Sequence, residues 1–219
     1  MIVTIDGPAG AGKSSAAKSL ARRLGFRFLD TGAMYRAVAL AALQRGHDWS
    51  RPAALVDLAR GIKIELDDDR VLLDGADVSE AIRDIAVTTA THYAADNPGV
   101  RQILVELQRK IAGDQNVVSE GRDQGTVVFP DAPCKIFLTA TPRERARRRL
   151  EELTARGEQV TFEEVLSQQE IRDHRDSTRP CGPLQKANDA IEVLTDGLTA
   201  DEVVDQLENL VRSPLTPDP

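Results

Sequence analysis

A chain of 219 residues is long enough to bury one sizeable core with room for a small insert. With 41% hydrophobic and 29% charged residues it has the balance of an ordinary globular chain, and no apolar run reaches bilayer length. A net charge of −7 and only 4% aromatic residues argue against a protein whose main task is gripping a nucleic acid polymer or an anionic membrane.

Ile2 to Ile5 is a β-branched run ended by Asp6-Gly7, the pattern of a buried strand feeding a tight loop. Helix formers fill Lys13 to Leu24, and Gly25 is placed to stop them. Phe26 to Leu29 reads as a second strand, and Ala33 to Gln44 as a helix. Strand, loop, helix, strand opens a parallel α/β sheet. Between Lys63 and Val78, KIELDD and RVLLDG alternate apolar and polar positions around an acidic turn, as a half-buried antiparallel pair does.

A helix from Gly99 to Ala112 leads to the strands NVVSEG and KIFLTA, the latter at 135–140. Arg143 to Ala155 is a strongly charged helix and Phe162 to Asp176 a second one. IEVLTD near 191 is the last strand and Ala200 to Val211 the last helix, and the proline-rich tail SPLTPDP reads as disordered. The expected architecture is α/β: a parallel sheet flanked by helices, with a core over 1–61 and 96–212, an antiparallel insert over 62–95 and a tail at 213–219. Cys134 and Cys181 have no metal-ligand spacing and are too few for a disulfide scaffold, so they read as free thiols of a reducing compartment. The chain opens on MIVTIDG without a basic leader or cleavage site, which makes the cytoplasm the expected location.

Gly7-Pro8-Ala9-Gly10-Ala11-Gly12-Lys13-Ser14 matches GxxxxGK[ST] directly after a strand and at the start of a helix, the context the phosphate-loop motif requires. Gly7 and Gly12 let the backbone wrap around a phosphate, and the loop N–H groups and helix N-terminus point their positive ends at the anion. Lys13 reaches the β- and γ-phosphates, Ser14 offers a hydroxyl to Mg²⁺, and Ser15 continues the cradle. This establishes an expectation of ATP binding but does not name the acceptor.

Arg36, Arg122 and Arg179 are fixed cations with planar donor forks, suited to a phosphate monoester. Arg172, Asp176 and Arg179 stand at i, i+4 and i+7, the spacing of one helical face. A solvated, salt-bridged face is the plain alternative for that triplet, and the phosphate loop together with the other arginines favours a second anion site.

Thr31-Gly32-Ala33-Met34-Tyr35-Arg36, Glu120-Gly121-Arg122-Asp123, the run GTVVFPDAPCKIFLTA, and Arg172-Asp173-x-x-Asp176-x-x-Arg179 together resemble the bacterial cytidylate kinases, a family of P-loop nucleoside monophosphate kinases. The similarity runs from the phosphate loop to the last helix. It implies that Arg36 and Arg122 bind the acceptor phosphate, with Arg179 in the same pocket and Thr31 among the acceptor-binding residues. It implies further that Arg172 and Asp176 contact the ribose, that Arg101 and Asp123 recognise cytosine, and that 62–95 is the NMP-binding insert. The chemistry agrees, because cytosine offers an amine to a carboxylate and accepts at O2 and N3 from a guanidinium, whereas uracil would set a carbonyl against the carboxylate. Gln124 stands where the family usually has methionine, and near His92 the family often places a serine that touches the base.

Arg143, Arg145, Arg147, Arg148 and Arg149 lie among Glu144, Glu151 and Glu152, and most of them are expected to form exposed i,i+4 pairs. The sharper expectation is a short lid at about 153–163, hinged near Gly157, with Arg148 as the arginine that meets the triphosphate on closure. The reading is in-line phosphoryl transfer from MgATP to CMP or dCMP, with Lys13, Arg122, Arg179 and Arg148 as the catalytic cations, by a cytoplasmic monomer. Another small P-loop kinase, acting on a different nucleotide or a metabolite such as shikimate, is the nearest alternative. A nucleotide-gated switch is a more distant one.

Overall fold

The computed structural model describes residues 1–67 and 70–213. Residues 68–69 of the acidic turn and residues 214–219 of the expected disordered tail lie outside the described residues. Two compact units emerge, one made of Met1–Phe28 and Gln115–Pro219, the other of Leu29–Asp114.

The first unit carries β1 (Ile2–Asp6), β6 (Val117–Gly121), β7 (Cys134–Thr139) and β8 (Ile191–Leu194) of a parallel sheet, the unit boundary falling within β2 (Arg27–Asp30), and the strand order is β2-β6-β1-β7-β8. Parallel partners flank β1 on both sides, with Ile5 opposite Glu120 of β6 and Ile136 of β7. The chain therefore leaves the carboxyl end of β1 where the strand order diverges, the place at which open α/β sheets bind ligands. The inner strands β1, β6 and β7 are buried along most of their length, as the centre of a sheet covered on both faces must be, whereas β2 and β8 at the edges are more exposed.

Helix α1 (Lys13–Leu24) stops at Gly25, whose φ of 66° is left-handed and whose N–H bonds back to Ala21 and Arg22. Helix α8 (Ala200–Arg212) begins with a reciprocal Thr199–Glu202 capping box and buries Val203, Val204, Leu207 and Val211 in a core shared with Val3, Ile5, Leu20 and Ile136. Leu207 is fully buried there, so truncating it to alanine costs about 2–5 kcal/mol. Helices α6 (Pro142–Ala155) and α7 (Phe162–Thr178) pack on each other with a small core of their own, Ala146, Leu153 and Val165.

The second unit centres on α2 (Thr31–Gln44), which starts from Asp30, whose side chain caps Ala33 N–H. Ten of its residues are buried, so it is an all-round core helix rather than an amphipathic one. The antiparallel strands β3 (Ile64–Asp67), β4 (Arg70–Leu73) and β5 (Ala76–Asp77) match the expected half-buried pairing, with Ile64 opposite Leu73. Helices α3 (Pro52–Gly61), α4 (Ile85–Ala95) and α5 (Pro98–Ala112) complete the unit.

Neither α3 nor α4 is anticipated by the sequence reading, and the compact unit extends well beyond the 62–95 insert on both sides. The physical reason is shared burial: Leu55 of α3, Ile64 and Leu73 of the small sheet, Val87 of α4 and Leu104 of α5 enclose α2 in one cluster.

Candidate active site

The phosphate loop fills the turn between β1 and α1. Gly7 is there for space as well as conformation: with φ of 149°, an added Cβ would lie 1.9 Å from the carbonyl oxygen of Leu138. Gly12 caps α1 in the left-handed region at φ 83°. Lys13 is 5% exposed and its Nζ donates to the Pro8 carbonyl at 2.7 Å, folding the side chain back over the loop. Burial pushes its ammonium down to about 7, and the cationic Arg122 and Arg172 push the same way against the pull of Glu120.

The hydroxyl of Ser14 donates to Oε1 of Glu120 at 2.7 Å. Glu120 is 5% exposed at the end of β6, beside β1. A hydroxyl and a carboxylate oxygen at a strand end, next to a phosphate-binding lysine, form the donor set that suits a hard divalent cation such as Mg²⁺. Among the described residues no cluster of three or more His, Cys, Asp or Glu is arranged to hold a metal, so any such ion would lean on the nucleotide's own oxygens. The sequence reading used Glu120 only as part of a motif. Its pairing with Ser14 arises from strand register, which residue spacing does not reveal.

Arg122 follows β6 and is brought to α7, where its Nε donates to Oδ2 of Asp176 at 2.9 Å and its Nη1 to the Gly121 carbonyl at 3.1 Å. Burial works against ionised Asp176, but Arg122, Arg172 and Arg179 together hold its carboxyl below the usual range. Arg172 is exposed on α7. Arg179 is 7% exposed, donates to the Gly182 carbonyl at 2.5 Å and lies 3.8 Å from Asp176.

Arg179 keeps the helical face of Asp176: its N–H bonds the Arg175 carbonyl at 3.1 Å, its φ of −62° is helical, and it lies three residues after Asp176. Helix α7 ends at Thr178, and Arg179 is its extended cap with ψ of 145°.

Asp123 is 3% exposed and starts a π-helical turn, Gln124–Val128. That turn is pinned by Asp6, which accepts from Gln124 N–H at 2.8 Å and from Gly125 N–H at 2.7 Å. Burial pushes the Asp6 carboxyl up to about 6 despite those two bonds, with Asp123 nearby adding to the rise. Gln124, at the family's usual methionine position, is buried and its Oε1 accepts from Ser119 Oγ at 2.7 Å. The polar residue is thus accommodated by a serine in the neighbouring strand.

Among the helix α6 arginines, the structure gives Arg148 and Arg145 different partners. Arg148 spends its guanidinium on Glu144 and on Thr195, with bonds of 2.8 Å to Glu144, 2.9 Å to Thr195 Oγ1 and 2.6 Å to the Thr195 carbonyl. Arg145 is 4% exposed and donates at 2.9 Å to the Ala9 carbonyl within the phosphate loop. Arg147 and Arg149 form the exposed pairs expected of them. Between Ala155 and Phe162 the chain turns through Gly157 at φ 81°, within the expected 153–163 lid.

In the second unit, Arg36 pairs with Asp30 at 3.0 Å, and its guanidinium lies over Gly32, where an added Cβ would come within 3.1 Å of Nη1. Its Nε is buried without a hydrogen-bond partner. Thr31 is buried at the first turn of α2. Arg101 of α5 is 5% exposed, donates to the Ala95 carbonyl at 3.1 Å and sits 5.4 Å from the centre of the Tyr35 ring. A groove of about 560 Å³ in this unit, lined by Trp49, Val56, His92 and Tyr93 among others, contains none of the candidate site residues.

Comparison with known proteins places these features in a lineage. A family model described as cytidylate kinase matches residues 3–213. The cytidylate kinase of Rhodopirellula baltica is 52% identical over 212 residues, covering 97% of this chain and 93% of the relative. That of Caldanaerobacter subterraneus is 50% identical over 210 residues, covering 96% and 94%. Among solved structures, an uncharacterized protein from Eubacterium ventriosum superposes with a TM-score of 0.55 at 15% identity, covering 97% of this chain and 99% of that one, a likeness of fold.

Proposed function

The chain belongs to the cytidylate kinase family, and from that premise we propose that it transfers the γ-phosphoryl group of ATP to the 5′-phosphate of CMP and of dCMP. The observation that carries this reading is the crowding of cations at Lys13. Burial together with Arg122 and Arg172 drives its ammonium down to about 7, a cost that a bound polyphosphate reverses by supplying negative charge.

The acceptor phosphate is itself an anionic nucleophile, so no strong general base is required. Catalysis rests on aligning two anions and spreading positive charge around the transferring group. Lys13 and the loop amides hold the donor's β- and γ-phosphates. Arg122 and Arg179 neutralise the acceptor phosphate, Asp176 keeps Arg122 in place, and Arg172 with Asp176 binds the ribose. Arg36, with Thr31 beside Gly32, serves the acceptor phosphate, and Arg101 and Asp123 read cytosine.

A site that reads the base by hydrogen bonds discriminates strongly, because a mismatched base leaves polar groups unsatisfied. Mg²⁺, held by Ser14 and Glu120 with the nucleotide, would screen the β- and γ-phosphate charge. Residues 62–95 act as the NMP-binding insert and 153–163 as the lid. The enzyme works in the cytoplasm as a monomer. In support of that compartment, both cysteines are unpaired, and Cys134 is buried with its thiol pushed up to about 11. No helix among the described residues is long and apolar enough to cross a membrane.

A steady-state panel with ATP and each nucleoside monophosphate tests the reading. CMP and dCMP should turn over well ahead of UMP and AMP, and a preference for any other acceptor would overturn it.

A further inference from the structure

Arg145 joins three segments of the first unit. Its Nε donates to the Ala140 carbonyl after β7 at 3.0 Å, and its Nη1 donates to the Ala9 carbonyl of the phosphate loop at 2.9 Å. The same Nη1 pairs with Oδ2 of Asp173 on α7 at 2.7 Å. One turn earlier on α7, Gln169 Nε2 donates back to the Arg145 carbonyl at 3.2 Å. These helices press on the loop apex, since a Cβ on Gly10 would lie 2.9 Å from Gln169 Nε2 and 3.3 Å from Arg145 Cβ. Gln169 Oε1 and Asp173 Oδ1 are buried acceptors with no hydrogen-bond partner among the described residues.

The peptide plane explains why this contact matters. A trans peptide points its C=O and its following N–H in opposite directions. Holding the Ala9 carbonyl on a guanidinium therefore turns the Gly10 N–H away from α6 and into the loop's anion-binding concavity. Asp173 lies immediately after Arg172 and one turn before Asp176, on the helix assigned to the acceptor.

We propose that Arg145 and Asp173 form a positioning pair that aims the phosphate-loop amides and fixes their register to α7, without touching either nucleotide. This rests on the kinase reading above and adds the device that aligns donor with acceptor.

The test compares Arg145→Lys, Asp173→Asn and the double variant for melting temperature, KM for ATP, KM for CMP and kcat. Lysine keeps the charge but cannot reach two carbonyls and a carboxylate at once. With melting temperature little changed, Arg145→Lys should raise KM for ATP and lower kcat by about tenfold each, with KM for CMP moving far less. Asp173→Asn should shift the same parameters in the same direction by a smaller factor, and the double variant should be no worse than Arg145→Lys, as for residues acting as one unit.

Wild-type kinetics in either single variant, or additive losses in the double, would overturn the pair. Should Arg145→Lys not fold, Asp173→Asn carries the test alone, because it leaves both carbonyl bonds of Arg145 in place. Failure of the kinase reading would appear separately, as absence of CMP phosphorylation by the unaltered protein.

Discussion

The Nε of Arg122 donates to Oδ2 of Asp176 at 2.9 Å, tying the segment after β6 to α7 across a sequence separation of 54 residues. The guanidinium whose charge bears on Lys13 is thereby anchored through Nε, while its Nη1 donates to the Gly121 carbonyl. Asp176 also lies 3.8 Å from Arg179, so one carboxylate draws together two guanidinium groups that would otherwise repel.

Arg122→Ala should therefore leave ATP affinity within a few-fold of wild type and reduce kcat by about 10²–10³, the ~3–4 kcal/mol typical of a preorganised charge contact. Isothermal titration with a non-hydrolysable ATP analogue, set beside steady-state rates, separates the two effects. Unchanged kcat would remove Arg122 from the chemistry.

Lys13 gives ATP binding a pH dependence of known sign. Its free-state ammonium titrates near 7, and a bound triphosphate favours the charged form, so binding above that pH takes up a proton. The dissociation constant for ATP should rise with pH above 7, approaching about tenfold per unit, and heats measured in buffers of different ionisation enthalpy should report the uptake. A Kd that is flat from pH 6.5 to 8.5 would contradict the depressed ammonium.

Asp6 predicts a stability trend in the opposite range. Its carboxyl titrates near 6 in the folded protein against 3.8 as reference, so the native state binds the extra proton between those values. The stabilising contribution of the protonated form is complete below 3.8 and is lost as pH rises through 6. Relative to Asp6→Asn, which cannot titrate, wild type should lose up to about 3 kcal/mol across that window. Urea midpoints of the two proteins at pH 4 and pH 7 measure the difference, and parallel pH profiles would refute it.

Glu120→Gln should leave metal-free nucleotide binding nearly intact while raising the Mg²⁺ concentration needed for half-maximal rate, because the amide is a weaker ligand for a hard cation. A magnesium titration of kcat that overlays the wild-type curve would exclude Glu120 from the metal's surroundings.

The phosphate loop was legible in the sequence because its glycines and Lys13-Ser14 have fixed spacing within a strand–loop–helix context, and the antiparallel pair because β3 and β4 alternate cleanly. Helix α4 was not legible. Its sequence, IAVTTATHYAA, lacks charges and is rich in β-branched residues, and its helical state comes from packing Val87, Ala90 and Ala94 into the second unit. Helix α3 did carry a start signal in Pro52 at its first turn.

Arg145 and Arg148 illustrate the limit at the site. Five arginines within seven positions look alike in sequence, and only the approach of α6 to Ala9 and of Thr195 to Arg148 tells them apart. Asp6 and Glu120 were hidden for a similar reason, since each bonds a residue more than a hundred positions away, Gln124 and Ser14 respectively.

Following the label of [γ-³²P]ATP in the presence of CMP tests the central claim most directly. The account predicts that radioactivity moves into CDP, that ATP is stable when CMP is withheld, and that Arg122→Ala slows the transfer by about 10²–10³ without preventing nucleotide binding. Label released as inorganic phosphate at the same rate with or without CMP would contradict it.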